Sequence, residues 1–359
     1  MSAPTTRIER LWTFHEADPS NLSLLRDIAR EGMSSGQFEA ALKALDALTT
    51  LNASEPGDEA AAIHALLKLG LVSQATDRAD VAFERWSQDE AVRVEAARAW
   101  LNSGRNEDVL RACEAPFSEH LIDLMASELH GQALWRLSRL EDALALTTTA
   151  LARHPEDARL LALHSALLYD DEQMGPAFEA AQRARALAPQ HAYLALHVLA
   201  SACLMRQDVA GAQALVDEAM AITQKDGRIW LLKGSTEMLA GKFEVAMASL
   251  REATRIFPDH PGSHLTLAWL QLLQGDLDGA EETIQRAIEA SPAFAESHGT
   301  LAVIHARRGQ REEAERSVRR ATLLDRDGFA ARYAQKVLDG TASEDVSDLL
   351  ADLAQRVQI

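Results

Sequence analysis

Only two cysteines, Cys113 and Cys203, occur in the 359 residues, far apart and with no Cys or His at ligand spacing. That argues against a disulfide framework and a cysteine-based zinc site, and the thiols suit a reduced cytosolic protein. Aromatic residues make up 5% of the chain and runs of β-branched residues are scarce, which disfavours a sheet protein. No uninterrupted apolar stretch reaches the about 18 residues a membrane span needs. The opening MSAPTTRIERLW has no apolar core of a secretory leader and no cysteine to receive a lipid, so the expectation is a cytoplasmic protein. Also missing are a Gly-rich phosphate loop, a nucleophile elbow, an HExxH motif and a Ser/His/Asp spacing, so the expectation is no enzyme, no cofactor and no metal. Positive charge is short: 36 Lys and Arg stand against 54 Asp and Glu, a net charge of −18. Such a surface repels a phosphate backbone or an anionic bilayer, so neither nucleic acid nor membrane insertion is expected.

What is present is alanine, leucine and order. The composition is 47% hydrophobic and 25% charged, that of a folded chain rich in helix formers. Ala41, Ala75, Ala143, Ala177, Ala212, Ala246, Ala280 and Ala314 recur at one fixed spacing, that from Ala41 to Ala75. Val109 fills the one gap, and the step before Ala212 is longer by a single residue. A fixed period of this size marks stacked repeats, each too small to bury its own apolar face.

The block at 227–260, GRIWLLKGSTEMLAGKFEVAMASLREATRIFPDH, shows what one repeat contains. Trp230, Lys233, Gly234 and Glu237 share a face of one helix, Gly241 permits a tight turn, and Ala246, Leu250 and Ala253 follow on a second helix that Pro258 ends. Gly234 and Ala246 are small where the two helices would meet, and added bulk there costs about 1–3 kcal/mol. The blocks at 261–294 and 295–328 place Ala268, Gly275, Ala280 and Ala287, then Ala302, Gly309, Ala314 and Ala321, at the same offsets.

These blocks resemble tetratricopeptide repeats, the helix–turn–helix family with Trp, Leu-Gly, Tyr, Ala, Phe, Ala and Pro at fixed offsets. Trp230, Gly234, Ala246, Ala253 and Pro258 fall on the pattern, with Glu237 where Tyr is usual; Leu267, Ala268, Ala280, Ala287 and Pro292 do the same, with His264 in place of Trp. The resemblance implies an all-α fold, a right-handed α-solenoid of stacked hairpins. Its strongest stretch is 124–328, where Pro155, Pro189, Pro258 and Pro292 keep phase. Upstream, Gly36, Gly70 and Gly104 keep the spacing of the alanines, so 22–123 reads as three degenerate repeats, the third interrupted by Pro116. The extra residue near 190–193 belongs in a turn. Residues 1–21 read as an N-terminal capping helix carrying Ile8, Leu11 and Trp12, and 329–359 as C-terminal capping helices, with Val346, Leu349, Leu350, Leu353 and Val357 as an apolar stripe.

In this family the second, fifth, ninth, twelfth and thirteenth places of each repeat line a concave groove. The resemblance therefore implies a groove with Arg26, Arg30, His64, Lys68, Arg98, Gln132, Trp135, Arg136 and Arg159 in its N-terminal half. The C-terminal half carries Leu204, Met205, Leu231, Met238, Leu239, Leu265, Trp269, Leu272 and Leu273. A basic stretch in an acidic protein would concentrate positive potential, and an apolar row would bury a partner's segment. The competing readings are solvated or paired arginines and leucines packed against the next repeat. Trp269 is the first choice of anchor. Arg26 and Arg30 stand where carboxylate-clamp relatives have Lys and Asn, which weighs against that clamp. Arg307, Arg308, Arg311, Arg316, Arg319 and Arg320 are interleaved with Glu312, Glu313 and Glu315 and read as a paired, solvated surface. His264 and His298 share a core-side place and read as packed histidines.

The expected function is a non-catalytic scaffold or adaptor that holds another protein or peptide segment in this groove. The alternatives are a peptide- or small-molecule-sensing regulator and the targeting subunit of a separately encoded enzyme or secretion complex.

Overall fold

A computed structural model describes residues 7–342, and among them there are twenty α-helices and no strand. The chain forms two compact units, Met1–Asp171 and Glu172–Ile359. Each is a run of antiparallel helical hairpins, an all-α solenoid of helical repeats.

In unit 1 a lone helix α1 (Arg7–Ala17) precedes four hairpins: α2 (Leu22–Ser35) with α3 (Phe38–Thr50), α4 (Pro56–Lys68) with α5 (Val72–Trp86), α6 (Glu90–Asn102) with α7 (Asn106–Cys113), and α8 (His120–Arg136) with α9 (Leu140–Arg153). α10 (Ala158–Asp170) closes the unit. In unit 2, α11 (Met174–Leu187) is followed by α12 (Tyr193–Met205) and α13 (Val209–Ile222), α14 (Gly227–Leu239) and α15 (Phe243–Ile256), α16 (Pro261–Leu273) and α17 (Leu277–Ala290), α18 (Ala295–Arg307) and α19 (Arg311–Leu324), and α20 (Phe329–Leu338). The second helices start at the spacing of the alanine series throughout, and the step from α11 to α13 is again the one that is longer. A 3-10 turn at Pro189–His191 takes up the extra residue.

Several first helices begin on a side chain that accepts an amide of the first turn: Asn21, Asp89, Asp157, Asp226 and, unusually, His260. Every residue of the alanine series, Val109 included, is fully buried, and Ala41 and Ala246 stand where the two helices of their hairpin meet. The approach is close. A Cβ on Gly234 would lie 2.5 Å from Leu250 Cγ, and one on Gly32 would lie 2.8 Å from Ala41 Cβ. A second period runs through the turns. Gly36, Gly70, Gly104, Ser138, Glu172, Gln207, Gly241, Gly275 and Gly309 all have positive φ, between 59° and 79°. The hairpin demands a left-handed residue there, and three turns supply it without glycine.

The third repeat is irregular, and Arg93 explains how it holds. α7 has 8 residues and ends at Cys113, before Pro116. The freed carbonyls converge on the buried Arg93 guanidinium, which donates to Ala112 O at 2.9 Å, to Pro116 O at 3.2 Å and to Ala115 O, and lies 4.0 Å over the Phe117 ring. α8 then starts one helical turn earlier than the regular repeat step from α6 would place it, and runs 17 residues.

At the chain's start, Ile8 of α1 is buried, and Leu11 and Trp12 pack beside the core of α2 and α3. α20 starts one regular repeat step after α18 and packs against it. The apolar stripe at 346–357 lies outside the described residues.

Candidate functional site

In unit 1 the first helices α2, α4, α6 and α8 lie side by side, and together they line an open recess of about 340 Å³. Its lining is Met33, Ala60, Ala61, His64, Ala91, Val94, Glu95, Ile122 and Met125, all from first helices or, for Ile122, the early turn of α8. Small residues leave the space and two methionines wall it with adaptable side chains. This is a mainly apolar floor, in the half of the chain where the sequence suggested basic character.

The arginines expected to make that half a positive cleft are engaged elsewhere. Arg26 donates from Nε to Asp58 at 3.1 Å and from Nη2 to Ala53 O at 3.0 Å, and it also pairs with Glu55. Arg30, exposed, pairs with Asp27 at 2.9 Å. Glu95 lies between His64 and Arg98, 3.2 Å from His64 Nδ1 and 3.1 Å from Arg98 Nε. Arg159 reaches Glu128 at 3.9 Å, and burial raises the Glu128 carboxyl above its ordinary range against the pull of Arg159 and Arg98. Arg136 donates to Leu101 O, the carbonyl near the end of α6, at 2.6 Å, and Trp135 Nε1 donates to Asp170 at 2.7 Å. Gln132 is tied to Glu128 at 3.2 Å. These cations are paired with acids of their own helix, as Arg30 and Arg98 are, or with acids and carbonyls of a neighbouring one, as Arg26, Arg136 and Arg159 are. Lys68 remains exposed on α4 without an ion pair among the described residues.

The apolar row of unit 2 is engaged mostly in packing between helices. Trp269 is 5% exposed, with Phe329 and Tyr333 of α20 at 5.9 and 6.0 Å between ring centroids. Met238 and Leu272 are buried, and Leu204, Leu231, Leu265 and Leu273 are half-buried against the cores of successive repeats. Met205 and Leu239 are half-buried at helix ends. The row is mostly packing because each first helix rests on the next.

The further polar groups have structural partners. His264 Nε2 meets Pro258 O at 2.7 Å and His298 Nε2 meets Pro292 O at 2.9 Å, one device used in two successive repeats. Among the described residues no group of three or more His, Cys, Asp or Glu is placed to hold a metal ion. Burial pushes the Cys113 thiol up to about 12, and burial with the neighbouring Asp208 raises Cys203. Neither thiol is primed as a nucleophile. No helix among the described residues is long and apolar enough to cross a membrane.

Sequence reasoning missed the eleventh place of the repeat. In unit 1 it holds Gly32, Leu66, Trp100, Leu134 and Leu168, whereas three consecutive repeats of unit 2 hold Glu237, Gln271 and His305. Glu237 is buried but satisfied, accepting from Ser249 Oγ at 2.7 Å and from Lys233 Nζ. Gln271 Oε1 and His305 Nδ1 are buried without a hydrogen-bond partner among the described residues. An unpaired buried polar atom costs about 1–3 kcal/mol. Glu237 in the place of the family's Tyr was the available signal.

Comparison with known proteins bears on the fold. Residues 237–293, the span from the end of α14 to beyond α17, match the family model described as tetratricopeptide repeat. Comparison with the curated proteins yields no match. Among solved structures the chain is similar to YrrB, described as a tetratricopeptide repeat protein with an unusual peptide-binding site, at 19% identity and a TM-score of 0.37, over 53% of this chain and 97% of that one. The matched stretch sits within a series of hairpins that keep the same repeat spacing on both sides.

Proposed function

We propose that this protein is an adaptor without chemistry of its own, acting in the cytoplasm, and that the first-helix face of unit 1 holds a peptide segment of a partner protein. The observation that carries the reading is the recess across α2, α4, α6 and α8, apolar at its floor and set on rigid helices. Preorganised apolar anchors of this kind reduce the entropy a segment loses on binding. The charge pairs beside it, Arg30 with Asp27 and Arg98 with Glu95, set register and encounter rate more than affinity. Nucleic acid and bilayer insertion do not suit a chain of net charge −18.

The test uses Ala91→Arg and Met125→Lys, two half-buried positions of the recess, in affinity capture from the native cell beside the wild type. The expected outcome is a partner protein lost from both variants while helicity and denaturation midpoint stay close to wild type. A partner set unchanged in both variants would discard this face as the binding site. Turnover of a substrate by the purified chain would end the adaptor reading.

A further inference from the structure

A cleft of unit 2, about 740 Å³, opens on the second-helix side between α15 and α17, with α16 as its floor. Gln271 lies in that floor, 7% exposed, and its Oε1 has no partner among the described residues. Gly279 lets the carboxamide pack close against α17, since a Cβ there would sit 2.2 Å from Asp276 Oδ2 and 2.7 Å from Gln271 Nε2. Leu66, Leu134 and Leu168 show that an apolar side chain fits the same place elsewhere in the chain. A buried amide oxygen kept where leucine would fit points to a donor from outside the chain.

The walls narrow the class of that donor. Arg286 is paired with Glu282 at 2.6 Å and Arg255 with Glu252 at 2.6 Å. Arg251, exposed on the α15 wall, has no ion pair among the described residues. No Phe, Tyr or Trp among the described residues lines the cleft to stack a base. A primary carboxamide carries N–H and C=O side by side, the complement of a peptide bond. Within a helix, main-chain amides are already bonded, so only an extended segment can offer them.

We propose that this cleft is a second binding surface, for an extended peptide segment whose main-chain amide pairs with the Gln271 carboxamide and whose acidic side chain pairs with Arg251. It goes beyond the recess of unit 1, lies on different helices and stands or falls independently.

The test is calorimetric titration of the full chain with an acetylated, amidated octapeptide of alternating Ser and Asp. Its controls are the same peptide with Lys in place of Asp, and an Asp peptide with main-chain amides replaced by esters. The expected result is saturable binding of the Ser-Asp peptide alone. Gln271→Met should weaken it about tenfold or more while the denaturation midpoint holds or rises, because a lone buried acceptor has been removed. Arg251→Glu, at an exposed position, should lose the Ser-Asp peptide and favour the Ser-Lys one. The proposal is overturned if the Ser-Asp peptide binds no better than either control, or if Arg251→Glu or Gln271→Met keeps wild-type affinity. A lower midpoint in Gln271→Met also overturns it, for the amide would then be satisfied within the fold by water.

Discussion

The carboxylate of Glu296, near the start of α18, accepts the backbone N–H of Phe329 at 2.7 Å, and its other oxygen accepts that of Ala330 at 2.9 Å. One repeat thereby caps the first helix of the next, where the local cap residue, Gly328, has no side chain to do so. Gly299 completes the seat, since a Cβ there would lie 2.6 Å from Ala331 N. Replacing Glu296 with Ala should cost about 1–2 kcal/mol, the size of a lost N-cap. Hydrogen exchange should accelerate at 329–338 and leave α14 and α15 unchanged. Uniform protection in the variant would show that packing under Phe329 and Tyr333 holds α20 without the cap.

The left-handed turns lead to a stabilising prediction. Ser138, Glu172 and Gln207 have φ of 59°, 60° and 59°, where a Cβ is strained. Each change to Gly should be neutral or stabilising by up to about 1 kcal/mol, the relief of strain exceeding the added freedom of the unfolded chain. The reverse change, Gly70→Ala at φ 76°, should destabilise by about 1 kcal/mol. Urea midpoints of the single variants measure both directions.

Stability should fall in mild acid, and His260 is one cause. Burial first, then the charges of Arg228 and His264, hold its imidazole at about 4 against an ordinary value of 6.5. The neutral ring is required, because Nδ1 accepts the Ser263 N–H at 3.1 Å and caps α16. Burial, Arg228 and His260 likewise hold His197 at about 4. Between about pH 6.5 and 4 the unfolded chain therefore binds more protons, so the stability present above that window is lost as pH falls through it. His260→Asn keeps a cap acceptor and removes the titration. Its urea midpoint should decline less steeply from about pH 7 to about pH 4.5 than that of the wild type.

Removing the Arg93 side chain should destabilise the third repeat. Arg93→Met leaves the carbonyls of Ala112, Ala115 and Pro116 without their donor. The expected loss is about 2–3 kcal/mol, with early protease cleavage within 114–119. Wild-type resistance there would mean that α7 ends on packing against Phe117 alone.

Much of the fold was legible because period and small residues act locally. The alanine series marks buried positions, the early glycines mark turns, and the extra residue near 190 fell in a turn. Glu172 and Gln207 gave no turn signal, since neither residue type favours positive φ and the hairpin imposes it. The candidate site was far less legible. Arg136 reads as a groove charge until Leu101 O, one repeat earlier in the chain, is found beside it, and Arg26 until Asp58 of the following repeat is found to hold it.

The linear order of residues determined the repeat, its length and its helices, because a hairpin closes over short stretches of chain and its small residues must stand at fixed offsets. Tertiary structure alone decided which side chains remained available to a partner. Neighbouring repeats supply the acids that hold Arg26 and Arg159, α20 covers Trp269, and the recess of unit 1 arises only where four first helices lie together. The reason is physical: burial and pairing depend on what the adjacent repeat presents, and that is set by packing between hairpins.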